Sequence, residues 1–397
     1  MKDLIIIGGG ASGLTAAITA ARKGKKVTIL ERNNKCGKKL LITGNGRCNY
    51  FNIDQNLSHY HSNNKDLIKD VITQENLDKV QNFFDSLGIV PKVKNGWFYP
   101  FSKTAITIQN ALLYEIKKLN IEVIYDITVE KIIRKDCFII NPDKENIKAK
   151  KIVIASGSKA APKTGSDGIG YDLAMNLNHK IIKPLPALVS LKGDENYFKK
   201  WSGVRTEAKL SLYEDGKLIK EDLGEVQLTD QGISGIVSFN LSSHITKNLN
   251  NHEEKILINF IPFVKENPNI WIKNMIKLNY PISETLERVL NYKLVNVILK
   301  KSKINVNDFN KLSKKQLENL INNLTNFEFI VKNVGSFDKA QVCTGGIPLN
   351  ELNLKTLQSL KTKDLYFAGE IIDINGDCGG YNLTFAWLSG IIVGENI

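Results

Sequence analysis

Met1-Lys2-Asp3-Leu4-Ile5-Ile6-Ile7-Gly8-Gly9-Gly10-Ala11-Ser12-Gly13-Leu14-Thr15-Ala16-Ala17-Ile18-Thr19-Ala20-Ala21 opens the chain, and Val27-Thr28-Ile29-Leu30-Glu31-Arg32 follows after Gly24. Leu4 to Ile7 is an apolar run without a polar break, so it reads as a buried strand. The glycine turn comes at once, then good helix formers with apolar residues at helical spacing, then a second apolar strand ending on an acid. Strand, glycine turn, helix, strand and acid make the dinucleotide-binding βαβ pattern. Gly8 permits the tight turn, Gly10 lets backbone approach a pyrophosphate, and Gly13 lets the helix pack close to the strand. The helix points free N–H groups and the positive end of its dipole at the phosphates. Glu31 stands where a carboxylate accepts hydrogen bonds from a ribose diol and repels a 2′-phosphate, so FAD or NAD is expected rather than NADP.

Working outward, 397 residues suggest two or three domains. Hydrophobic residues are 42% and charged residues 24%, as in a soluble globular chain. The formal net charge of +13 comes from scattered lysines, with no arginine-rich tract or basic–aromatic patch, so no nucleic-acid partner is expected. The apolar start is too short for a signal peptide, and no run approaches a membrane helix. The five cysteines, at 36, 48, 137, 343 and 378, are too widely spaced for a disulfide framework and form no C-x-x-C. They point to a reducing, cytoplasmic setting without a redox dithiol. Cysteines and histidines show no metal-ligand spacing, so no metal is expected.

Further along, Gly44-Asn45-Gly46-Arg47-Cys48-Asn49 is a polar glycine loop able to bring N–H groups and a guanidinium to a phosphate or flavin edge. Residues 65–88 and 104–119 read as helices, 121–124 and 127–133 as strands, and 137–140 as the end of a small meander. Residues 151–158 form a buried strand ending in small residues. From Pro184 the chain turns β-rich, with Asp215-Gly216 as a hairpin turn. A helix is expected over 236–249 and a strand over 255–260. Residues 263–325 are helical and basic. Ser283 is expected to cap a helix striped by Leu286, Val289, Leu290, Leu294, Val297 and Ile298, and Ser313–Gln316 fits a capping box. The stripe is read as a packing face rather than a DNA-reading helix. A last strand runs into Gly369-Glu370 and a helix over 383–392, so the C-terminus is expected to return to the first domain.

Three segments carry a family resemblance: Gly8 to Gly13, Lys38 to Asn49, and Tyr366 to Glu370 with Gly379-Gly380-Tyr381-Asn382. Pro162 to Tyr171 and Gly232-Ile233-Ser234-Gly235 add weaker matches. With them the chain resembles bacterial FAD flavoproteins of the glutathione-reductase-like superfamily, described as NAD(P)/FAD-dependent oxidoreductases or aminoacetone-oxidase-like flavoproteins. The resemblance implies an α/β fold: a split FAD-binding Rossmann-like domain over 1–185 and 335–397, a β-rich substrate domain over 186–262 and 326–334, and a helical insertion over 263–325. It implies non-covalent FAD held by Gly8, Gly10, Ala11, Ser12 and Gly13, with Glu31 on the ribose and Arg32 and Lys39 nearby. Val129 would flank the adenine, and Ala155, Ser156 and Gly157 would line the nucleotide. Gly46, Arg47, Cys48 and Asn49 would lie along the flavin. Gly369, Glu370 and Asp373 would stand on the ribityl or phosphate side. Gly380, Tyr381, Asn382 and Leu383 would start a helix aimed at the pyrimidine end of the ring, stabilising the charge of reduced flavin. Two departures stand out. Thr229-Asp230 replaces a Thr-His pair, which removes a histidine proton donor there, and Ser156 replaces a threonine.

The expected activity is flavin-mediated hydride transfer. No second G-x-G-x-x-G follows a strand, so NADH or NADPH would visit the substrate pocket and leave. The leading expectation is NAD(P)H-dependent reduction of a small unsaturated carbonyl compound. The alternatives are an oxidase of a small amine or aminoketone and, from another class, a flavin-dependent RNA-modifying or RNA-binding protein. Tyr171, Arg47 and Tyr381 are candidate proton-handling residues; no catalytic acid or base is assigned. The residues are silent on the oligomeric state.

Overall fold

A computed structural model gives the fold and describes residues 1–249 and 254–397. The chain starts as the glycine stretch dictates: β1 (Lys2–Ile7), α1 (Ala11–Arg22) and β2 (Val27–Leu30). Next come α2 (Gln74–Ser86), α3 (Ala105–Lys118), β3 (Glu122–Ile124), β4 (Ile147–Ile154) and α4 (Ile169–Asn176). Two expectations are corrected here. Residues 65–88 are not one helix: a 3-10 turn over Lys65–Asp70 stops before Thr73, whose hydroxyl accepts the Asn76 N–H and starts α2 afresh. Residues 127–133 form a strand only at Ile132–Arg134. The Asn141 carboxamide takes the Thr128 carbonyl and the Glu130 N–H, the groups a strand partner would have used.

The chain then leaves for a second compact unit, Ala187–Ser336, and comes back for Phe337–Ile397, which joins Met1–Pro186. The second unit holds β5 (Arg205–Glu214), β6 (Lys217–Leu228), α5 (Ile236–Asn248) and β7 (Glu254–Asn259). It continues with α6 (Pro268–Ile276), α7 (Ile282–Glu287), α8 (Tyr292–Lys301), α9 (Lys314–Thr325) and β8 (Phe327–Ile330). Its strands form an antiparallel sheet in which β8, β7, β5 and β6 are successive neighbours. The helical residues 263–325 share one hydrophobic cluster with these strands through Ile272, Leu286, Leu294 and Ile298. Ser283 does not cap a long helix. Pro281 precedes α7, and Asn291 caps a separate α8 by accepting the Lys293 N–H. The break between them leaves Val289 37% exposed, off the stripe. Ser313 and Gln316 do make the reciprocal capping box of α9.

On its return the chain adds β9 (Leu365–Phe367) and α10 (Tyr381–Asn396), the latter starting two residues before the expected helix. The central sheet of this first unit runs β9-β4-β1-β2-β3, and all these neighbours are parallel. The order reverses beside β1, where an open α/β sheet leaves a crevice for its ligand. Leu4, Ile5, Ile6, Ile152, Val153 and Ile154 are buried, as a sheet covered on both faces requires.

Among the described residues, no helix is long and apolar enough to cross a membrane.

Candidate functional site

The crevice is built by backbone that only glycine allows. Gly8 has φ +104°, and a Cβ there would stand 2.6 Å from the Ala155 carbonyl oxygen. A Cβ on Gly13 would meet the Gly8 carbonyl at 1.9 Å, so α1 lies directly against the strand end. Gly10 differs: a Cβ there would meet nothing within 4 Å. Its missing side chain serves no contact within the protein and leaves room for something else. Gly10 caps α1 without any side-chain hydrogen bond, so the first N–H groups face the opening.

A second uncapped helix end points the same way. Gly390 of α10 packs on Ser12, Thr15 and Ala16, and Gly394 packs on Ala16, Thr19 and Ala20. Both contacts advance together along the two helices, so α1 and α10 are parallel and their N-termini share one end. α10 begins nine residues before Gly390, and α1 about three before the turn it touches. The α10 N-terminus therefore stands about 9 Å further out at ~1.5 Å per residue. Gly380 caps it at φ +99°, again with no side-chain bond. The Asn382 carboxamide is spent on the Gly376 N–H at 2.7 Å and the Gly376 carbonyl, which fixes the preceding loop.

The remaining expected residues fall into two groups. Some are already paired. Glu31 is buried; it accepts the Gly9 N–H at 2.7 Å and the Asn33 N–H at 2.8 Å, so it shapes the glycine turn itself. Arg32 holds Asp167 at 2.6 Å and the Gly165 carbonyl. Lys39 and Ser158 both bind Glu370, at 2.7 and 3.0 Å. Asp373 is fully buried and accepts from Ser62, Asn63 and the Gly345 N–H. Gly369 packs on Ser12, Val129 is buried, and Arg47 is exposed at the loop tip beside Tyr99. The second group lacks partners. Both polar atoms of Asn49 and the Ser156 hydroxyl are buried without a hydrogen bond, and so, outside the expected residues, are the Thr344 hydroxyl and both polar atoms of Asn375. Asn49 lies against Gly380, 3.0 Å from the position of its absent Cβ. Buried carboxamides left unpaired cost free energy unless a ligand satisfies them.

Thiol chemistry does not fit this loop. Burial pushes the Cys48 thiol up to about 12, and burial with Glu31 does the same for Cys36. Burial, then Cys343, Glu370 and Asp373, raises the Tyr171 phenol well above its usual range, so it stays a donor. Tyr381 is raised by burial and then by Asp54 and Asp377. Sequence reading missed five residues here: His59, His61, Thr344, Asn375 and Asp377. Four of them carried one signal, alternation of His59 with His61 and of Asn375 with Asp377, at two strands of two residues each, too short to read as strands. An open concavity of about 780 Å³ beside Lys131, Arg134 and Lys361 contains none of the residues of the crevice.

Two parallel helix N-termini, a glycine cradle and unpaired amides around them fit an extended dinucleotide. The pyrophosphate suits α1, and the flavin end suits α10 and Asn49. These features define an FAD-dependent oxidoreductase with a split Rossmann domain. Residues 2–396 match the model of the HI0933-like protein Rossmann domain, and the chain belongs to that family. It is 36% identical over 403 residues to the 3-dehydro-bile acid delta(4,6)-reductase of Clostridium scindens, covering 100% of this chain and 98% of the relative. It is 26% identical to the ribosomal RNA dihydrouridine synthase of Haemophilus influenzae, over 98% of this chain and 96% of that one. Among solved structures, the open flavocytochrome c3 fumarate reductase aligns with a TM-score of 0.51 at 14% identity, over 100% of this chain and 78% of that one, a likeness of fold.

Proposed function

We propose that this protein reduces a carbon–carbon double bond conjugated to a carbonyl, taking electrons from NADH or NADPH. The observation that carries the reading is shared chemistry among whole-length relatives. A 3-dehydro-bile acid delta(4,6)-reductase and a dihydrouridine synthase both saturate a C=C bond conjugated to a carbonyl. Bound FAD supplies the hydride-transfer chemistry. The residues of this chain do the rest. The N–H groups of α1 hold the diphosphate. The N–H groups at the start of α10 would lie on the ring side and favour negative charge there. Asn49 fixes the ring edge, and the buried thiols stay protonated and out of the reaction.

The leading substrate is a small polycyclic enone, supported by the higher identity to the bile-acid enzyme. A second reading, a uracil in RNA, is favoured by the dihydrouridine synthases. The test is an anaerobic titration of the purified protein with NADH and then NADPH, followed by flavin absorbance. Bleaching by a nicotinamide, with colour restored by a 4,6-dien-3-one steroid, supports the first reading. Colour restored only by unmodified ribosomal RNA supports the second. A flavin that no nicotinamide bleaches, but that an amine or aminoketone does, overturns both in favour of an oxidase.

A further inference from the structure

Between the α10 N-terminus and solvent lies a line of titratable groups that the reading above leaves unused. Tyr60–His61 pairs antiparallel with Asn375–Gly376, with His61 opposite Asn375 and Gly376 opposite Tyr60. The Asp377 N–H then bonds the His59 carbonyl at 2.9 Å, which sets Asp377 opposite His59. His61 and Asn375, paired across the two short strands, share one face, and Asp377 reaches both His61 and His59, the last residue of the 3-10 turn before Tyr60. The contacts are sequential. Asp54 Oδ2 meets His59 Nε2 at 3.2 Å, His59 Nδ1 meets Asp377 Oδ2 at 3.3 Å, and Asp377 Oδ1 meets His61 Nε2 at 2.9 Å. Exposure falls from 61% for the Asp54 side chain and 30% for His59 to 6% for Asp377, the most buried member, and is 15% at His61.

We propose that Asp54, His59, Asp377 and His61 form a proton relay from solvent to the Asn375 side of the site. The proposal rests on the reductase reading and adds its proton source. The two middle members each have one atom for uptake and another for release. His59 uses its two nitrogens on two carboxylates, and Asp377 uses its two oxygens on two imidazoles. A chain that passes protons needs this two-sidedness; a structural ion pair does not. An imidazole carries two ring nitrogens, so it can take a proton at one and give one up at the other. The inner end is in the right place. The Asn375 carboxamide opposite His61 is buried and unpaired, and so is the Thr344 hydroxyl on Val342–Gly346. Groups that face the relay include the Tyr381 ring, stacked on His59 at 4.5 Å, and the Asn52 amide on the Tyr381 hydroxyl. Asp373 sits beyond, held by Ser62 and Asn63.

The balance is simple. A reduced nicotinamide supplies two electrons and one hydrogen as hydride, which bonds to the β carbon of the substrate. The C=C π pair moves onto the carbonyl as an enolate. The α carbon then takes one proton from His61, Asp377 and His59 pass one along, and Asp54 refills from water. Per turnover, one nicotinamide is oxidised, one C=C bond is reduced and one solvent proton is consumed.

The experiment uses holoenzyme and the variants Asp377→Asn and His61→Gln. Stopped-flow absorbance separates flavin bleaching by NAD(P)H from recolouring by the substrate between pH 5.5 and 9. Imidazole NMR of the same samples follows the histidines. Asp377→Asn is expected to slow recolouring about 100-fold at pH 8, with no matching loss in bleaching. The ring N–H protons of His59 and His61 are expected to show hydrogen-bonded shifts in the natural protein and to lose them in the variant. A wild-type recolouring profile in Asp377→Asn overturns the relay. If neither enone nor RNA recolours the natural protein, the reductase reading fails by itself. The NMR spectra then judge the relay, and ring N–H protons without hydrogen-bonded shifts in the natural protein overturn it.

Discussion

At the residue scale, the three glycines of the turn look alike in sequence and differ in what they answer to. Gly13 answers to the protein, since a Cβ would overlap the Gly8 carbonyl at 1.9 Å. Gly10 answers to the ligand, since a Cβ there has free space and φ is −80°. Gly13→Ala is therefore expected to destabilise the apoprotein by about 2 kcal/mol through overpacking. Gly10→Ala is expected to leave apoprotein stability within about 0.5 kcal/mol while weakening FAD binding at least about tenfold, since roughly 1.4 kcal/mol of lost contact suffices. Thermal melting of the apoproteins and flavin fluorescence titration check the pair. Equal stability loss in both variants would contradict the division. The glycines were legible because their demands are local. Asn49 was legible only through the loop motif around it. His59 and Asp377 were not, because their contact joins positions 318 residues apart and sequence spacing carries no trace of it.

At the element scale, the site depends on how helices are held. The α1–α10 crossing is tight because Gly390 and Gly394 bring backbone to backbone. A Cβ on Gly394 would lie 2.6 Å from Thr19 Cβ and 2.7 Å from the Ala16 carbonyl. Gly394→Ala is expected to cost about 1–3 kcal/mol and to shift the bound flavin spectrum, because separating the helices moves one N-terminus relative to the other. An unchanged spectrum would mean that the crossing does not set the cradle. Another link ties the end of α4 to Leu349–Glu351. His179 Nδ1 meets Glu351 at 2.9 Å and Nε2 meets the Ser359 hydroxyl at 2.7 Å, which suits a neutral ring. Burial holds the His179 imidazole below its usual range, although Glu351 pulls the other way. Burial pushes Glu351 up, but Lys361, the Lys180 N–H and His179 together hold it lower. The unfolded chain therefore takes up a proton at His179 below pH about 6.5 that the folded chain resists. Stability from this residue is complete above that pH and is lost as pH falls through it; the Glu351 part is lost further down, below about 4.3. The melting temperature is expected to fall from pH 7 to pH 5, and His179→Gln is expected to flatten that slope. This pairing was invisible in sequence, whereas α2 and α3 were legible from periodicity. The broken helix at 65–88 was misread because a Thr cap interrupts an apolar pattern that runs on through it.

At the scale of the whole molecule, the split topology was legible because strand–glycine–helix junctions stand at both ends of the chain. The membership of 263–325 was not, since a helix stripe shows that a face is covered without showing by what. Its apolar residues share a cluster with β5, β7 and β8, while the crevice residues belong to a different cluster. Separate cores make a separate folding unit plausible on physical grounds, and the way the segment closes strengthens that. Leu191 and Lys192 pair with Val334 and Asn333, and the Gly335 N–H bonds the Ser190 carbonyl at 2.9 Å. The two ends of the insert are thus already side by side, so cutting them frees little order. A fragment of residues 187–336 is expected to unfold in urea as one cooperative transition, unaffected by added FAD. The complementary protein, 1–186 joined to 337–397 by a short glycine–serine linker, is expected to bind FAD and to gain melting temperature with its concentration, since a ligand stabilises only what binds it. A fragment without a cooperative transition would show that its core needs the remainder of the chain. FAD stabilisation of the fragment would move part of the cofactor site out of the glycine crevice.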